Sequence, residues 1–437
     1  MTADPFNLPS TALPGRGLDP AEVLDRLREA KAGDRDWRGG KVFSLVYSAG
    51  EDHHRLLEDA LALYASENGL NVLAFPSIGY LQHDLVRMTA SLLGADDAAS
   101  GGAVDGFVTS GGTESLLQAV LTARDDARDR RGIDRPEVVL ATSAHAAFDK
   151  AAHYFDVDLV RVPVGPDFRA DVDAMAAAVT DRTALLVGSA PSYPQGVVDP
   201  IADLAALALD RGLLLHVDAC MGGFLLPFLE RLGRFDTPFD FRVPGVTSMS
   251  ADLHKYGYAA KGASVILYRT AELKRRQVFL TTNWLGGLYA STGVAGTRPA
   301  GPIAAAWASL MHLGADGLLE LTGTAHDAAR RLRAGIESHP ELALRGDPPA
   351  TVFAFGAADP TAPGAPDIFA VGDLLAARGW YLDRQSPPDS LHVTVHAGHA
   401  ATVDGLVADL DEVLAQVLED GQRAQDRSTD YGAPGAG

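Results

Sequence analysis

Cysteine is almost absent: Cys220 is the only one in 437 residues. A single thiol cannot close an internal disulfide, so a disulfide framework is excluded and a reducing cytoplasm is the expected compartment. Long apolar runs are missing as well; none approaches the ~20 residues that a membrane-spanning helix needs, so no transmembrane segment is expected. The opening "MTADPFNLPSTALPGRG" has neither the basic start nor the apolar centre of a secretion signal. Positive charge is in short supply: 37 Lys and Arg against 57 Asp and Glu leave a net charge of −20, with no basic stripe to offset it. That argues against nucleic acid as a partner, and the charge reads as solubility.

What is present is the composition of a soluble globular protein, 47% apolar and 22% charged. A chain of 437 residues is too long for one ordinary core, so a large and a smaller domain are expected. Lysine is the scarcest charge. There are six against 31 arginines, yet Lys255 and Lys261 stand together in "SMSADLHKYGYAAKG". A lysine amine can lose its proton and form a Schiff base, whereas a guanidinium can do neither.

Residues 1–50 are rich in Pro, Gly and Asp around one helical stretch, "DPAEVLDRLREAKA", and read as an N-terminal arm. Residues 51–338 read as the large domain. It opens with two helical patterns, "HHRLLEDALALYASE" and "YLQHDLVRMTASLLG", and then alternates short apolar runs with helices. The runs are "GFVTS", "PEVVLATS", "LVRVPV", "TALLVGSA", "LLLHVDA", "VTSMSAD" and "SVILYR". The intervening helices start near Thr113, His145, Asp171 and Pro200. This pattern predicts an α/β fold with a mainly parallel sheet flanked by helices, whose ligand sits at the carboxyl ends of the strands. Residues 339–420 change to strand–strand–helix–strand–strand–helix, a smaller C-terminal α+β domain. The polar tail, 421–437, is expected to be disordered.

Each chemically sharp residue follows one of these runs. In "FVTSGGTESLLQAV", Gly111 and Gly112 let the backbone approach an anion at a helix N-terminus, and Ser110 and Thr113 can add hydroxyl donors. The plain alternative is an N-cap with Glu114 in the first turn. "LLLHVDACMGG" ends a buried strand with His216 and Asp218. A carboxylate there needs a cationic or donor partner, which a pyridinium or a metal could be, and spacing alone leaves a His/Asp metal pair open. His145 opens a helix where an imidazole can stack on a flat cofactor; Lys150 reads as an ordinary solvated charge. His254 and Lys255 follow the run "VTSMS". Together these give an anion cradle, a stacking ring, an acid for a ring nitrogen and an amine for an aldehyde, the holds that pyridoxal 5′-phosphate needs.

With these residues assembled, the chain resembles the fold-type I, group II pyridoxal-phosphate-dependent decarboxylases, and more closely the sphingosine phosphate lyases. The similarity runs through "GKVFSLVYSAGE", "SAHAAFDKAAHYF", "LHVDACMGGFLLPF", "SADLHKYGYAAKG" and "GGLYASTGVAGTRPAG". It implies a transferase-like fold and a carbon–carbon lyase. Lys255 would be the Schiff-base lysine, Asp218 the pyridine partner and His145 the stacking residue. Gly111, Gly112 and Thr113, with His254 and Ser250, would hold the cofactor phosphate. Gly296, Thr297 and Arg298 would form a loop that reaches the active site of a second subunit, making a homodimer the minimal unit. Tyr47 and Lys261 would face the phosphate of a small-molecule amine substrate, beside Tyr258. The family's histidine in a phosphate-binding segment is Asn71 here. Asn283, Leu285 and Ala260 also depart from the family pattern, so the substrate site is changed where the cofactor site is intact.

The implied reaction is retro-aldol cleavage of a phosphorylated 2-amino alcohol to an aldehyde and phosphoethanolamine. Lys255, Tyr258 or a cofactor phosphate oxygen are the candidate bases. An amino-acid decarboxylase, or cleavage of a β-hydroxy-α-amino acid, uses the same electron sink. Retention of Lys261 and Tyr47 favours the phosphorylated substrate. A non-catalytic binding protein would require a damaged Lys, Asp or His, and none is damaged. No metal is expected.

Overall fold

Runs such as "TALLVGS" are buried along their whole length, because helices cover both faces of the sheet they enter. The computed structural model describes residue 13 and residues 15–96 and 104–429. Ahead of the sheet lie α1 (Pro20–Lys31), α2 (Glu51–Leu63) and α3 (Pro76–Leu92). Asp19 caps α1 by accepting the Ala21 N–H, with Pro20 at the first helical position. α2 ends four residues before the sequence pattern suggested.

Then come β1 (Asp105–Thr109), α4 (Gly112–Arg131), β2 (Glu137–Ala141), α5 (Ala147–Phe155), β3 (Asp158–Val162), α6 (Val172–Ala178), β4 (Thr183–Ser189) and α7 (Ile201–Arg211). They are followed by β5 (Leu214–Asp218), α8 (Leu226–Arg231), β6 (Ser248–Ala251) and β7 (Ser264–Tyr268). All seven apolar runs are strands of one sheet, ordered β1-β7-β6-β5-β4-β2-β3. β7 runs antiparallel to β1 and β6, while the remaining neighbours pair in parallel. The two reversals cancel, so the carboxyl ends of β1, β2, β4, β5 and β6 share one edge. Val139, Leu186, Leu215 and Val217 of this sheet pack with Ile201 and Leu204 of α7 in the main core.

Next are α9 (Ala271–Arg276), a hairpin of β8 (Phe279–Thr281) and β9 (Tyr289–Ser291), and α10 (Gly301–Glu337), which is broken at Gly314, where φ is +57°. The second sheet is antiparallel, ordered β10-β11-β13-β12 from β10 (Leu342–Leu344), β11 (Val352–Ala357), β12 (Asp383–Gln385) and β13 (Ser390–Thr394). α11 (Ile368–Ala377) and α12 (Val403–Asp420) complete the α+β unit. Its own core joins Phe353, Phe355, Leu391 and Val393 to Leu406, Leu410 and Val413. Part of the tail expected to be disordered is held here: the Ala424 N–H (3.2 Å) and Arg427 Nη1 (2.8 Å) donate to Asp367 Oδ2. Residues 430–437 of that tail lie outside the described residues. No helix among the described residues is long and apolar enough to cross a membrane.

Candidate active site

At the shared carboxyl edge lies a cavity of about 560 Å³. Its wall takes Ser110–Leu117 in part from the β1–α4 turn, His145 from the end of β2, Ser189 from β4, Asp218, Cys220 and Met221 from β5, and Asp252, His254 and Lys255 from β6.

The β1–α4 turn is shaped by Glu114. Its Oε2 accepts both the N–H and the hydroxyl of Ser110 at 2.7 Å, and its Oε1 accepts the Val294 N–H at 2.7 Å. The Ser110 hydroxyl expected to face an anion is therefore turned onto Glu114. Thr113 keeps its place on the wall. Gly112 is required by close approach. A Cβ there would stand 2.8 Å from Cys220 Sγ and 2.9 Å from both carboxylate oxygens of Asp252.

Asp218 closes β5, 8% exposed. Its Oδ1 accepts the Cys220 N–H at 3.1 Å and the Ser250 hydroxyl at 3.3 Å. Ser250 thus supports Asp218 from behind; it was expected beside the cofactor phosphate, and it is not part of the cavity wall. The same hydroxyl lies 3.4 Å from His216 Nε2, while His216 Nδ1 pairs with Ser248 Oγ at 2.9 Å. His216 is fully buried, and burial lowers its pKa to about 4. Ser250 therefore stands between the two residues that spacing had left open as a metal pair. Among the described residues, no three His, Cys, Asp or Glu side chains are grouped to hold a metal.

His145 Nδ1 accepts the Ala147 N–H at 3.0 Å, so its neutral ring carries the proton on Nε2. Burial lowers its pKa, with Asp218 opposing. Lys255 Nζ pairs with Asp252 Oδ2 at 2.9 Å, and His254 Nε2 lies 3.7 Å from the same oxygen. His254 Nδ1 donates to the Ala263 carbonyl at 2.8 Å, and burial lowers this histidine's pKa too. Burial opposes ionisation of Asp252, but Lys255 and then His254 outweigh it and hold the carboxyl below its usual range.

The expected substrate residues stand apart from this wall. Lys261 Nζ donates to the His254 carbonyl at 3.2 Å and lies 5.1 Å from the Tyr47 ring centre. Solvent reaches the Lys261 side chain, yet its ammonium is crowded by protein, which together with Lys255 lowers its pKa to about 8. The Tyr47 hydroxyl meets Met221 Sδ, a wall atom, at 3.8 Å. Tyr258 is 1% exposed and accepts the Ala397 N–H at 3.4 Å, so the structure does not bring it to the cavity. Asn71 is exposed and caps its own loop, accepting the Leu73 and Ala74 N–H groups. Arg298 donates to the carbonyls of Val108 (2.8 Å) and Gly69 (3.3 Å) and to Gln82 Oε1 (2.9 Å). Gly296 and Thr297 sit beside it, Thr297 accepting from Asn68 at 3.4 Å. Val294 and Ala295 of the same loop do line the cavity.

Sequence reasoning missed the parts played by Asp252 and Glu114. Asp252 follows β6 as directly as Asp218 ends β5, so the strand-end rule could have found it. Lys150 is exposed, as a solvated charge is expected to be, and it also lines the cavity mouth, its ammonium 5.7 Å from the Tyr154 ring centre. Nothing in the spacing separates it from a surface lysine.

A mainly parallel sheet with a lysine, an acid and a glycine turn at one edge suits a pyridoxal-phosphate enzyme of fold type I. The chain matches the pyridoxal-dependent decarboxylase conserved domain over residues 23–357 and belongs to that family. Within it, the chain is 43% identical to the sphingosine-1-phosphate lyase of Arabidopsis thaliana, over 93% of this chain and 74% of the relative. It is 43% identical to sphingosine-1-phosphate lyase 1 of Rattus norvegicus, over 93% of this chain and 70% of the relative. A solved sphingosine-1-phosphate lyase from Burkholderia pseudomallei superposes with a TM-score of 0.89 at 38% identity, covering 94% of this chain and 93% of the other. Glutamate decarboxylase of Lactobacillus brevis, at 21% identity and a TM-score of 0.81, shares the fold. The chain belongs to the sphingosine-1-phosphate lyase family and is a pyridoxal-phosphate-dependent aldehyde-lyase.

The residues present fit that cofactor. The Gly111–Gly112 turn leads into a helix N-terminus on the cavity wall, which suits its phosphate. A nearly buried carboxylate, Asp218, suits a ring nitrogen. An amine shares the same cavity.

Proposed function

We propose that this chain cleaves a phosphorylated 2-amino alcohol, a sphingoid base phosphate or shorter analogue, between the amine-bearing and hydroxyl-bearing carbons, giving an aldehyde and phosphoethanolamine. The observation that carries the reading is the single cavity holding Lys255, Asp218, His145 and the Gly111–Thr113 turn, in a chain of this family. When bound, pyridoxal phosphate supplies an electron sink for the bond broken beside the substrate's amine. Asp218, fixed by Cys220 and Ser250, would keep a proton on the ring nitrogen. His145, oriented through Nδ1, would help hold the ring. Gly111, Gly112, Thr113 and His254 would hold the cofactor phosphate. Lys255 would supply the amine that holds the cofactor covalently. As proton acceptor for the substrate hydroxyl that amine is favoured over Tyr258, since burial raises the Tyr258 pKa and its hydroxyl is engaged with Ala397.

Tyr47 and Lys261, joined to the cavity through Met221, grip the substrate phosphate. Below its pKa of about 8 Lys261 carries the charge that Asn71 lacks. Gly296, Thr297 and Arg298 act in a homodimer with shared sites. Support for the dimer is the apolar surface on the β8–β9 hairpin, where Phe279, Leu280, Trp284, Leu285 and Leu288 are all more than half exposed. The cytoplasm is the proposed compartment, in keeping with one buried, unpaired thiol. With pyridoxal phosphate the protein is expected to turn yellow and be fixed by borohydride, and Lys255→Ala is expected to abolish both. A panel of phosphorylated and free amino alcohols, hydroxy amino acids and amino acids, assayed for aldehyde and carbon dioxide together, decides the reaction. Carbon dioxide without aldehyde would overturn the reading.

A further inference from the structure

We propose that Asp252 is the positioning residue of Lys255, holding its ammonium in place and setting the pH at which the amine becomes free to react. The proposal rests on the reading of Lys255 as the cofactor's covalent partner.

The geometry is close and enclosed. Asp252 is 2% exposed and lies one residue beyond β6. Its Oδ2 is 2.9 Å from Lys255 Nζ, three residues on. Gly112 faces the carboxylate from the other side, where any side chain would stand 2.9 Å from both of its oxygens. The absence of a Cβ there leaves the carboxylate its place beside the lysine.

Other titratable groups also face Lys255. The Cys220 thiol, after β5, is kept neutral by burial, which raises its pKa well above the ordinary value. His145, at the start of α5, and His254, in the lysine's own loop, are held neutral chiefly by burial. Lys261 opposes a second positive charge, and Asp218 favours one from across the cavity. The Glu114 oxygens are bonded to Ser110 and Val294, and Lys150 stands at the α5 wall. Asp252 is in direct contact with Nζ, at 2.9 Å.

The consequence is chemical. A Schiff base forms when the nitrogen lone pair attacks the aldehyde carbon, and the carbonyl oxygen leaves as water. An ammonium has no lone pair, so Lys255 must first release one proton to solvent. An anion at contact distance favours the charged form and moves that release to higher pH. The test follows capture of pyridoxal phosphate by the purified protein against pH, by visible absorbance, with borohydride trapping located at Lys255 by peptide mapping. Asp252→Asn and Asp252→Ser are expected to lower the midpoint of capture by about one pH unit, a tenfold gain in free amine below the midpoint. Asp252→Glu should stay near the wild-type midpoint, and Lys261→Ala should move it upward. Two results would overturn the proposal: an unchanged midpoint in both uncharged variants, or folded variants that capture no cofactor at any pH. Failure of the wild-type protein to be trapped at Lys255 would instead overturn the reading of that lysine.

Discussion

Gly112 is fixed by what lies across from it rather than by its own backbone. Any side chain there meets a thiol sulfur and a carboxylate at less than 3 Å, and both belong to the site. Gly112→Ala is expected to displace Asp252 and weaken pyridoxal phosphate binding by at least about tenfold, with a small change in melting temperature. Fluorescence titration with the cofactor checks this, and an unaltered affinity would refute it. Asp218 and Lys255 were legible in the sequence because a charge after a buried run has few innocent explanations. Asp252 carried the same signal but was overlooked beside its two chemically louder neighbours. Tyr258 drew notice by proximity to Lys255 in sequence, yet the backbone turns it into the core, with φ at +54°.

At the scale of elements, strand order explains why residues more than 140 apart in sequence meet. β1 supplies Ser110–Thr113 and β6 leads to Asp252–Lys255, and the antiparallel β7 between them sets their carboxyl ends on one edge. Glu114 then stitches the first turn of α4 to the loop after β9. The β8–β9 hairpin carries apolar side chains left without cover: Leu285 is fully exposed and Trp284 57% exposed. Leu285→Asp is expected to convert a dimer to monomers and to reduce lyase activity more than tenfold, because shared sites lose their partner loop. Analytical ultracentrifugation of both proteins is the check; a wild-type monomer would refute the dimer. Leu285 stood out in the sequence as a departure from the family pattern, but its exposure depends on how the hairpin leaves the sheet.

Across the whole molecule, buried histidines set the response to acid. His216, His392 and His399 are nearly or fully enclosed, and burial lowers each to a pKa of about 4. The unfolded chain binds protons at the ordinary histidine value near 6.5, so below that pH unfolding takes up protons that the folded state refuses. The stability these residues contribute is complete above about pH 6.5 and is lost as pH falls toward 4. By pH 5 the loss is roughly 2 kcal/mol for each histidine. Thermal melting is therefore expected to drop steeply between pH 6.5 and 4, and His216→Gln should flatten part of that slope. A melting temperature constant over the interval would show that these rings are protonated in the folded state.

The sequence by itself determined the seven strands, their helices, the smaller α+β unit, and the acid, amine and glycine turn that the fold brings to one cavity. Those features are local: an apolar run, a helix start and the residue after a strand are each written within a few positions. Tertiary structure alone decided which side chains share the cavity. It turned Ser110 onto Glu114, placed Ser250 behind Asp218, and drew Lys150 to the wall. It also set Asp252 against Lys255 and sent Tyr258 and Arg298 into other contacts. Such pairings depend on strand order and on the packing of α4 against its neighbours, and distances between elements far apart in the chain leave no trace in residue spacing.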